Sequence, residues 1–86
     1  MQISVELTLT PLQDNFENPI IQFIKKLRAS GLKIIENPLS TQVYGDYDKV
    51  MEIISTEVKT IFSAMDKGLL FMKIVKTDRS DYEPHF

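Results

Sequence analysis

Neutral polar side chains are concentrated in the middle of the chain, in a segment with the character of a β-strand. The stretch from Asn37 to Gly45 combines β-favouring residues with amides and hydroxyls, which can hydrogen-bond a small polar molecule. Two interpretations are open: a solvated face of a sheet, or a small-molecule site. The candidate binding residues in this stretch are Asn37, Ser40, Thr41, Gln42 and Tyr44.

The first strand supplies a second set of polar groups. Residues 2–10 alternate, so the apolar side chains face a core while Ser4, Glu6 and Thr8 face the other way. Glu6 has two readings. It is either a surface carboxylate or a partly buried one in an oligomer cleft, where it would need a cationic or amidine-like partner.

The elements that must position these side chains follow in a simple order. Pro11 is expected to end the first strand, and Asn18-Pro19 predicts a helix start by N-cap and first-position preferences. Apolar residues spaced three and four apart continue this helix up to Gly31. The later elements are strands over 32–36 and 40–45, a helix opened by Asp46 and ended by Lys67-Gly68, and a strand over 69–75.

This order predicts an α+β fold of the ferredoxin-like βαββαβ type, in which two helices cover one face of a four-stranded antiparallel sheet. Residues 1–76 form the domain and 77–86 form a polar C-terminal tail. With the first and third strands central, Gln42 and Tyr44 point to the open face beside Glu6. Thr41 shares a side with Val43, so it reaches a ligand only through a bulge or at the strand end.

Several function classes are disfavoured by composition. The chain has 86 residues, a net charge of -2 and no cysteine, which argues against nucleic-acid partners, a cysteine metal site and thiol chemistry. No apolar run is long enough for a membrane span and no signal peptide is visible, so a soluble cytoplasmic protein is expected. No nucleophile and base are paired, and His85 near the C-terminus is interpreted as incidental, the alternative being a tail that folds over a neighbour's site. We predict no enzyme, no metal and no cofactor.

The open face points to binding and association. Ser4, Thr8 and Gln42 could surround Glu6, with Tyr44 and Phe71 as stacking surfaces, a set that suits a flat polar heteroaromatic ligand, neutral or cationic. An open face that also carries the apolar Phe71 and Val75 is expected to pair with another copy.

Three blocks of the sequence resemble the thiamine/hydroxymethylpyrimidine-binding protein family, small ferredoxin-like proteins. They are residues 2–12, 20–27 and 40–51, the last with a Thr, an apolar residue two further on, and then Gly-acid-aromatic-acid entering a helix. The resemblance covers the chain from residue 2 to about 76 and leaves the tail outside. It implies that Glu6, Thr41 and Gln42 contact the ligand, with Ser4, Thr8, Asn37, Ser40 and Tyr44 as further candidates.

For function, the resemblance implies non-catalytic binding of thiamine (vitamin B1) or its hydroxymethylpyrimidine moiety in the cytoplasm. The cleft would form when the chain assembles into a homodimer or homotetramer. It leaves open whether the ligand is thiamine, a phosphate ester or the pyrimidine half. The alternative is a structural or regulatory homo-oligomeric module with no thiamine-type ligand.

Overall fold

The predicted order of strands and helices is confirmed in the computed structural model, which describes residues 1–85. Phe86, the last residue of the predicted tail, lies outside the described residues. The elements are β1 (Gln2–Pro11), α1 (Glu17–Arg28), β2 (Lys33–Glu36), β3 (Thr41–Asp46), α2 (Tyr47–Ser63) and β4 (Gly68–Lys76).

The four strands form one antiparallel sheet in the order β2-β3-β1-β4, so β1 and β3 are central, as predicted. The buried residues of β1 and β3 alternate with polar ones, and both helices pack on the apolar side. The core consists of Ile3, Val5, Leu7, Leu9, Phe23, Leu27, Val43, Val50, Ile54 and Ile61. Because both helices occupy this side, the other face of the sheet has no helix over it.

Several predicted boundaries were wrong. Helix α2 ends at Ser63 rather than at Lys67-Gly68, and Gly68 is the first residue of β4. Strand β1 ends at Pro11, one residue beyond the predicted Thr10, and Pro11 pairs with Gly68 of β4. The backbone N–H of Leu12 donates to the carbonyl of Lys67, just before β4, at 2.9 Å. Successive backbone groups of a strand point to opposite sides, so the nitrogen of Pro11 points away from β4, to the side where β3 no longer pairs with β1. The missing N–H therefore costs no sheet hydrogen bond. Helix α1 begins at Glu17 rather than after Asn18, because a proline fits anywhere in the first turn, whose N–H groups lack helical partners.

The junction between β3 and α2 explains the glycine of the Gly-acid-aromatic-acid motif. A Cβ on Gly45 would lie 3.0 Å from Leu32 Cδ2 and 3.2 Å from Val50 Cγ2, so a side chain there would crowd both neighbours, and its φ of +156° is one that residues with a Cβ rarely adopt. Asp46 is the N-cap residue of α2, yet its carboxylate makes no capping bond and binds the Met1 ammonium at 3.1 Å. This ion pair lowers the pKa of Asp46. Residues 1–85 contain no helix long and apolar enough to cross a membrane.

Candidate functional site

The strand register places the predicted polar residues of β1 and β3 side by side on the face without helices, here called the open face. Glu6 lies opposite Gln42 on β3 and opposite Lys73 on β4. Ser4 lies opposite Tyr44 and Val75 in the neighbouring row. Since directly paired residues point to the same side of a sheet, the prediction that Glu6, Gln42 and Tyr44 share the open face is confirmed.

A short chain of hydrogen bonds orients the central carboxylate. Gln42 Nε2 donates to Ser40 Oγ at 2.7 Å, and Ser40 Oγ donates to Glu6 Oε2 at 3.0 Å. A carboxylate that accepts from a hydroxyl held in this way has one oxygen engaged and the other available. The side chain of Glu6 is exposed in the single chain, so any burial must come from a ligand or a second molecule.

A shallow cavity of about 140 Å³, here called the open-face cavity, contains most of these groups. Its charged residues are one carboxylate, Glu6, and two cations, Lys73 and Arg79. Val75 adds apolar surface. The full lining is Ser4, Val5, Glu6, Gln42, Tyr44, Lys73, Val75 and Arg79.

The C-terminal tail reaches this cavity and is held there by Ser4. The Ser4 hydroxyl donates to the carbonyl of Thr77 and accepts the backbone N–H of Arg79, both at 2.8 Å. Only 7% of Ser4 is exposed. Further along, Asp81 lies 3.6 Å from Lys33 of β2, so the tail crosses the sheet from β4 towards β2. The sequence singled out Ser4 as a ligand contact, whereas the structure engages its hydroxyl with the tail.

Thr41 lies on the other side of the sheet from Glu6 and Gln42. It pairs with Leu7, faces the helices as predicted, and is 7% exposed. The β1–β3 register runs without a bulge, so of the two ways in which Thr41 could reach a ligand only the strand end remains. Thr41 is the first residue of β3 and lines a second cavity there.

This second cavity, here called the loop cavity, has a volume of about 230 Å³. It lies between α1 and the segment from Asn37 to Ser40, and its lining is largely apolar: Leu7, Thr8, Leu9, Ile20, Phe23, Ile24, Asn37, Pro38, Leu39, Ser40 and Thr41. The predicted residues are thus divided between two cavities. Ser40 connects them, since it lines the loop cavity and hydrogen-bonds both Glu6 and Gln42.

Asn37 and Thr8 shape the loop beside this cavity. The Asn37 side-chain oxygen accepts the N–H groups of Leu39 and Ser40 at 2.9 and 3.0 Å, an Asx turn that fixes the entry into β3. The Thr8 hydroxyl makes a long bond of 3.4 Å to the Leu39 carbonyl. These contacts give both residues a local structural role.

Two cations of the open-face cavity were missed by the sequence prediction. Lys73 lies between Phe71 and Val75 on β4, so the alternation that placed those two on the open face also placed Lys73 there. Arg79 follows β4 in a segment without periodicity, and no sequence signal positions it. Its place depends on the tertiary contact with Ser4.

The fold and this polar cavity define a ferredoxin-like domain with a candidate small-molecule site on its open face. A family model described as thiamine-binding protein matches residues 5–85. The chain belongs to the thiamine-binding protein family, and the match extends through the tail that the sequence resemblance left outside. A search of curated proteins found no match.

Solved structures show the same fold at low sequence identity. A candidate thiamine biosynthesis/salvage protein from Thermotoga maritima matches with a TM-score of 0.81, 18% identity and coverage of 90% of this chain and 85% of that chain. A hypothetical protein from Methanocaldococcus jannascii matches with a TM-score of 0.77 and 20% identity, over 95% of this chain and 84% of that chain. A domain of unknown function from Bacillus cereus matches with a TM-score of 0.75 and 12% identity, over 91% of this chain and 78% of that chain.

Proposed function

We propose that this protein binds thiamine or its hydroxymethylpyrimidine moiety without turnover, in the open-face cavity and in the cytoplasm. The observation that carries the proposal is the Gln42–Ser40–Glu6 hydrogen-bond chain, found on an open sheet face in a chain of the thiamine-binding protein family. The family description names binding rather than a reaction, which supports a carrier or sensor over an enzyme.

The chemistry of the cavity fits an aminopyrimidine. Glu6 has one carboxylate oxygen bonded to Ser40, so the other can accept a hydrogen bond from an exocyclic amine. Gln42 uses its amide N–H₂ towards Ser40, and its carbonyl oxygen can accept a second one. Tyr44 lines the same cavity and offers an aromatic face for stacking on a heteroaromatic ring.

A second copy would complete the site. The open-face cavity measures about 140 Å³, whereas pockets that enclose small ligands typically hold about 300–1,000 Å³. Phe71 is 64% exposed on the same face, next to Thr8, and is an apolar group that another sheet could cover. Pairing of two open faces would bury Phe71 and enclose the open-face cavity, in a homodimer or in a homotetramer built from two such dimers.

The alternative function is a structural or regulatory oligomer with no thiamine-type ligand. The same exposed Phe71 favours it, because apolar surface alone is a sufficient reason for association. In that case Glu6 is an ordinary surface carboxylate. The two functions predict different effects of removing the Glu6 charge on the stabilisation of the protein by a ligand.

Thermal unfolding with and without ligand distinguishes them. Thiamine or hydroxymethylpyrimidine at 100 times its dissociation constant should stabilise the folded state by about 2.7 kcal/mol. For a domain of this size that corresponds to a rise in Tm of roughly 10–20 °C. Glu6→Gln should abolish most of the rise, while Glu52→Gln, an equal charge change on exposed α2 surface, should retain it.

If neither compound nor the thiamine phosphates raise Tm at millimolar concentration, thiamine-type binding is excluded and the oligomeric module remains. Incubation with thiamine monophosphate, followed by chromatography, checks for turnover. Release of free thiamine above the level of a Glu6→Gln preparation would contradict a non-catalytic role.

A further inference from the structure

We propose that the open-face cavity selects the phosphorylated form of its ligand, with Lys73 and Arg79 binding the phosphate group. This inference rests on the proposed function and specifies its ligand class. It starts from the balance of charge in the cavity. One carboxylate, Glu6, faces two cations, so the lining carries a net positive charge.

Among residues 1–85, no carboxylate forms an ion pair with Lys73 or Arg79. The ion pairs in that range are Met1–Asp46, Arg28–Glu36 and Lys33–Asp81. A cavity with excess positive charge disfavours the thiazolium cation of free thiamine. A phosphate monoester carries a charge of about -1.5 to -2 at pH 7 and reverses that preference.

The positions of the charges separate a polar end from a cationic end. In the strand register, Lys73 of β4 lies opposite Glu6 of β1. The Glu6 carboxylate accepts its hydrogen bond from Ser40, however, on the β3 side. The carboxylate is therefore engaged towards β3, and the lysine remains on the β4 side. A ligand that has an aminopyrimidine at one end and a phosphate at the other matches this arrangement.

Arg79 is brought to the cavity by a fixed turn in the backbone. Thr77 has φ 137°, a conformation that β-branched residues rarely adopt, and the Ser4 hydroxyl binds the backbone on both sides of the next residue. The guanidinium of Arg79 lies over the ring of Tyr82, 5.1 Å from its centre. Stacking leaves the in-plane N–H groups free, and guanidinium N–H groups bind phosphate in a bidentate manner.

The test is calorimetric titration with two matched pairs of compounds: thiamine and thiamine monophosphate, and hydroxymethylpyrimidine and its monophosphate. We expect each ester to bind about tenfold tighter than its alcohol, since hydrogen bonds to charged groups at a partly exposed site contribute on this scale. Higher ionic strength should reduce this difference, because salt screens exposed charges.

Substitutions assign the effect to the two cations. Lys73→Gln and Arg79→Gln should each remove most of the ester preference, measured as the ratio of the two dissociation constants, because the phosphate loses one of its two cations. Arg79→Gln retains the backbone N–H that binds Ser4. Lys76→Gln is the matched control, since Lys76 is exposed on the same strand but pairs with Ile3, on the helix side of the sheet.

The outcomes separate the two proposals. Equal binding of ester and alcohol, or an ester preference that survives both substitutions, overturns the phosphate assignment and leaves thiamine-type binding in place. Absence of binding by all four compounds overturns both.

Discussion

Ser40 connects the two halves of the candidate site through a single hydroxyl group. It accepts from Gln42 and donates to Glu6, and it also lines the loop cavity on the other side of the segment. Within residues 1–85, neither Glu6 nor Gln42 makes another side-chain hydrogen bond. The orientation of the Glu6 carboxylate therefore depends on a residue that would pass as an ordinary loop serine in the sequence.

Ser40→Ala tests this dependence. Loss of the two hydrogen bonds leaves Glu6 free to rotate, so ligand affinity should fall roughly two- to tenfold, the equivalent of one ordinary hydrogen bond. Ser63→Ala removes a hydroxyl that binds only the Lys59 carbonyl on the exposed side of α2, and it should leave the affinity unchanged. Equal titration curves for both variants would show that Ser40 has no part in binding.

At the scale of elements, the end of α1 is tied to β2 by one ion pair. Arg28 Nε lies 2.6 Å from Glu36 Oε2, and a second nitrogen lies 2.7 Å from Oε1, so the contact is bidentate. The pair raises the pKa of Arg28 and lowers the pKa of Glu36, in both cases mainly through the hydrogen bonds. It connects the edge strand next to β3 with the helix that lines the loop cavity.

The sign of the Glu36 shift gives a pH dependence. A carboxylate whose pKa is lower in the folded state stabilises the fold above its unfolded value, about 4.3, and this stability is lost as the pH falls through the folded pKa. Glu36→Gln should therefore unfold more easily in urea at pH 7, by a small amount because the pair is exposed. The difference from wild type should shrink below pH 4.

Much of the fold followed from alternation and helix signals, and the remainder depended on tertiary contacts. The period of two in β1 and β3 placed Glu6, Gln42 and Tyr44 together and Thr41 apart. Lys73 follows the same rule on β4, but it lies between Phe71 and Val75, and these apolar residues dominate the pattern of that strand. The start of α1 could not be located, because the proline signal identifies a turn of the helix rather than a residue.

The path of the tail could not be predicted at all. Arg79 reaches the open face through bonds to Ser4, a residue 75 positions earlier in the chain. No local pattern encodes a contact of that kind. The sequence therefore predicted the part of the site that lies on strands and missed the part that lies on irregular backbone.

At the scale of the whole molecule, the exposed apolar side chains predict association through the open face. Phe71 is 64% exposed on that face, and Met72, the next residue, is 42% exposed on the helix side of the sheet. If two open faces pair, Phe71→Ser should weaken the dimer on the order of 30-fold or more, as expected for a central apolar contact. Met72→Ser should leave the dissociation constant of the dimer unchanged.

Sedimentation velocity over a dilution series measures both dissociation constants. A monomeric wild-type protein at high micromolar concentration would contradict pairing altogether. If Met72→Ser dissociates the assembly and Phe71→Ser does not, the copies associate through the β4–α2 side.

The bonds from Ser4 to the tail also order the events of synthesis and folding. The two contacts join residues 73 and 75 positions apart, and the strand that carries Ser4 also waits for β3 and β4 to pair with it. A nascent chain that lacks the last ten residues can complete the helix-covered core but has no Arg79 to place. Because the tail continues from the end of β4, it can reach Ser4 only once β1 and β4 have paired, so the core should form before the binding face is complete.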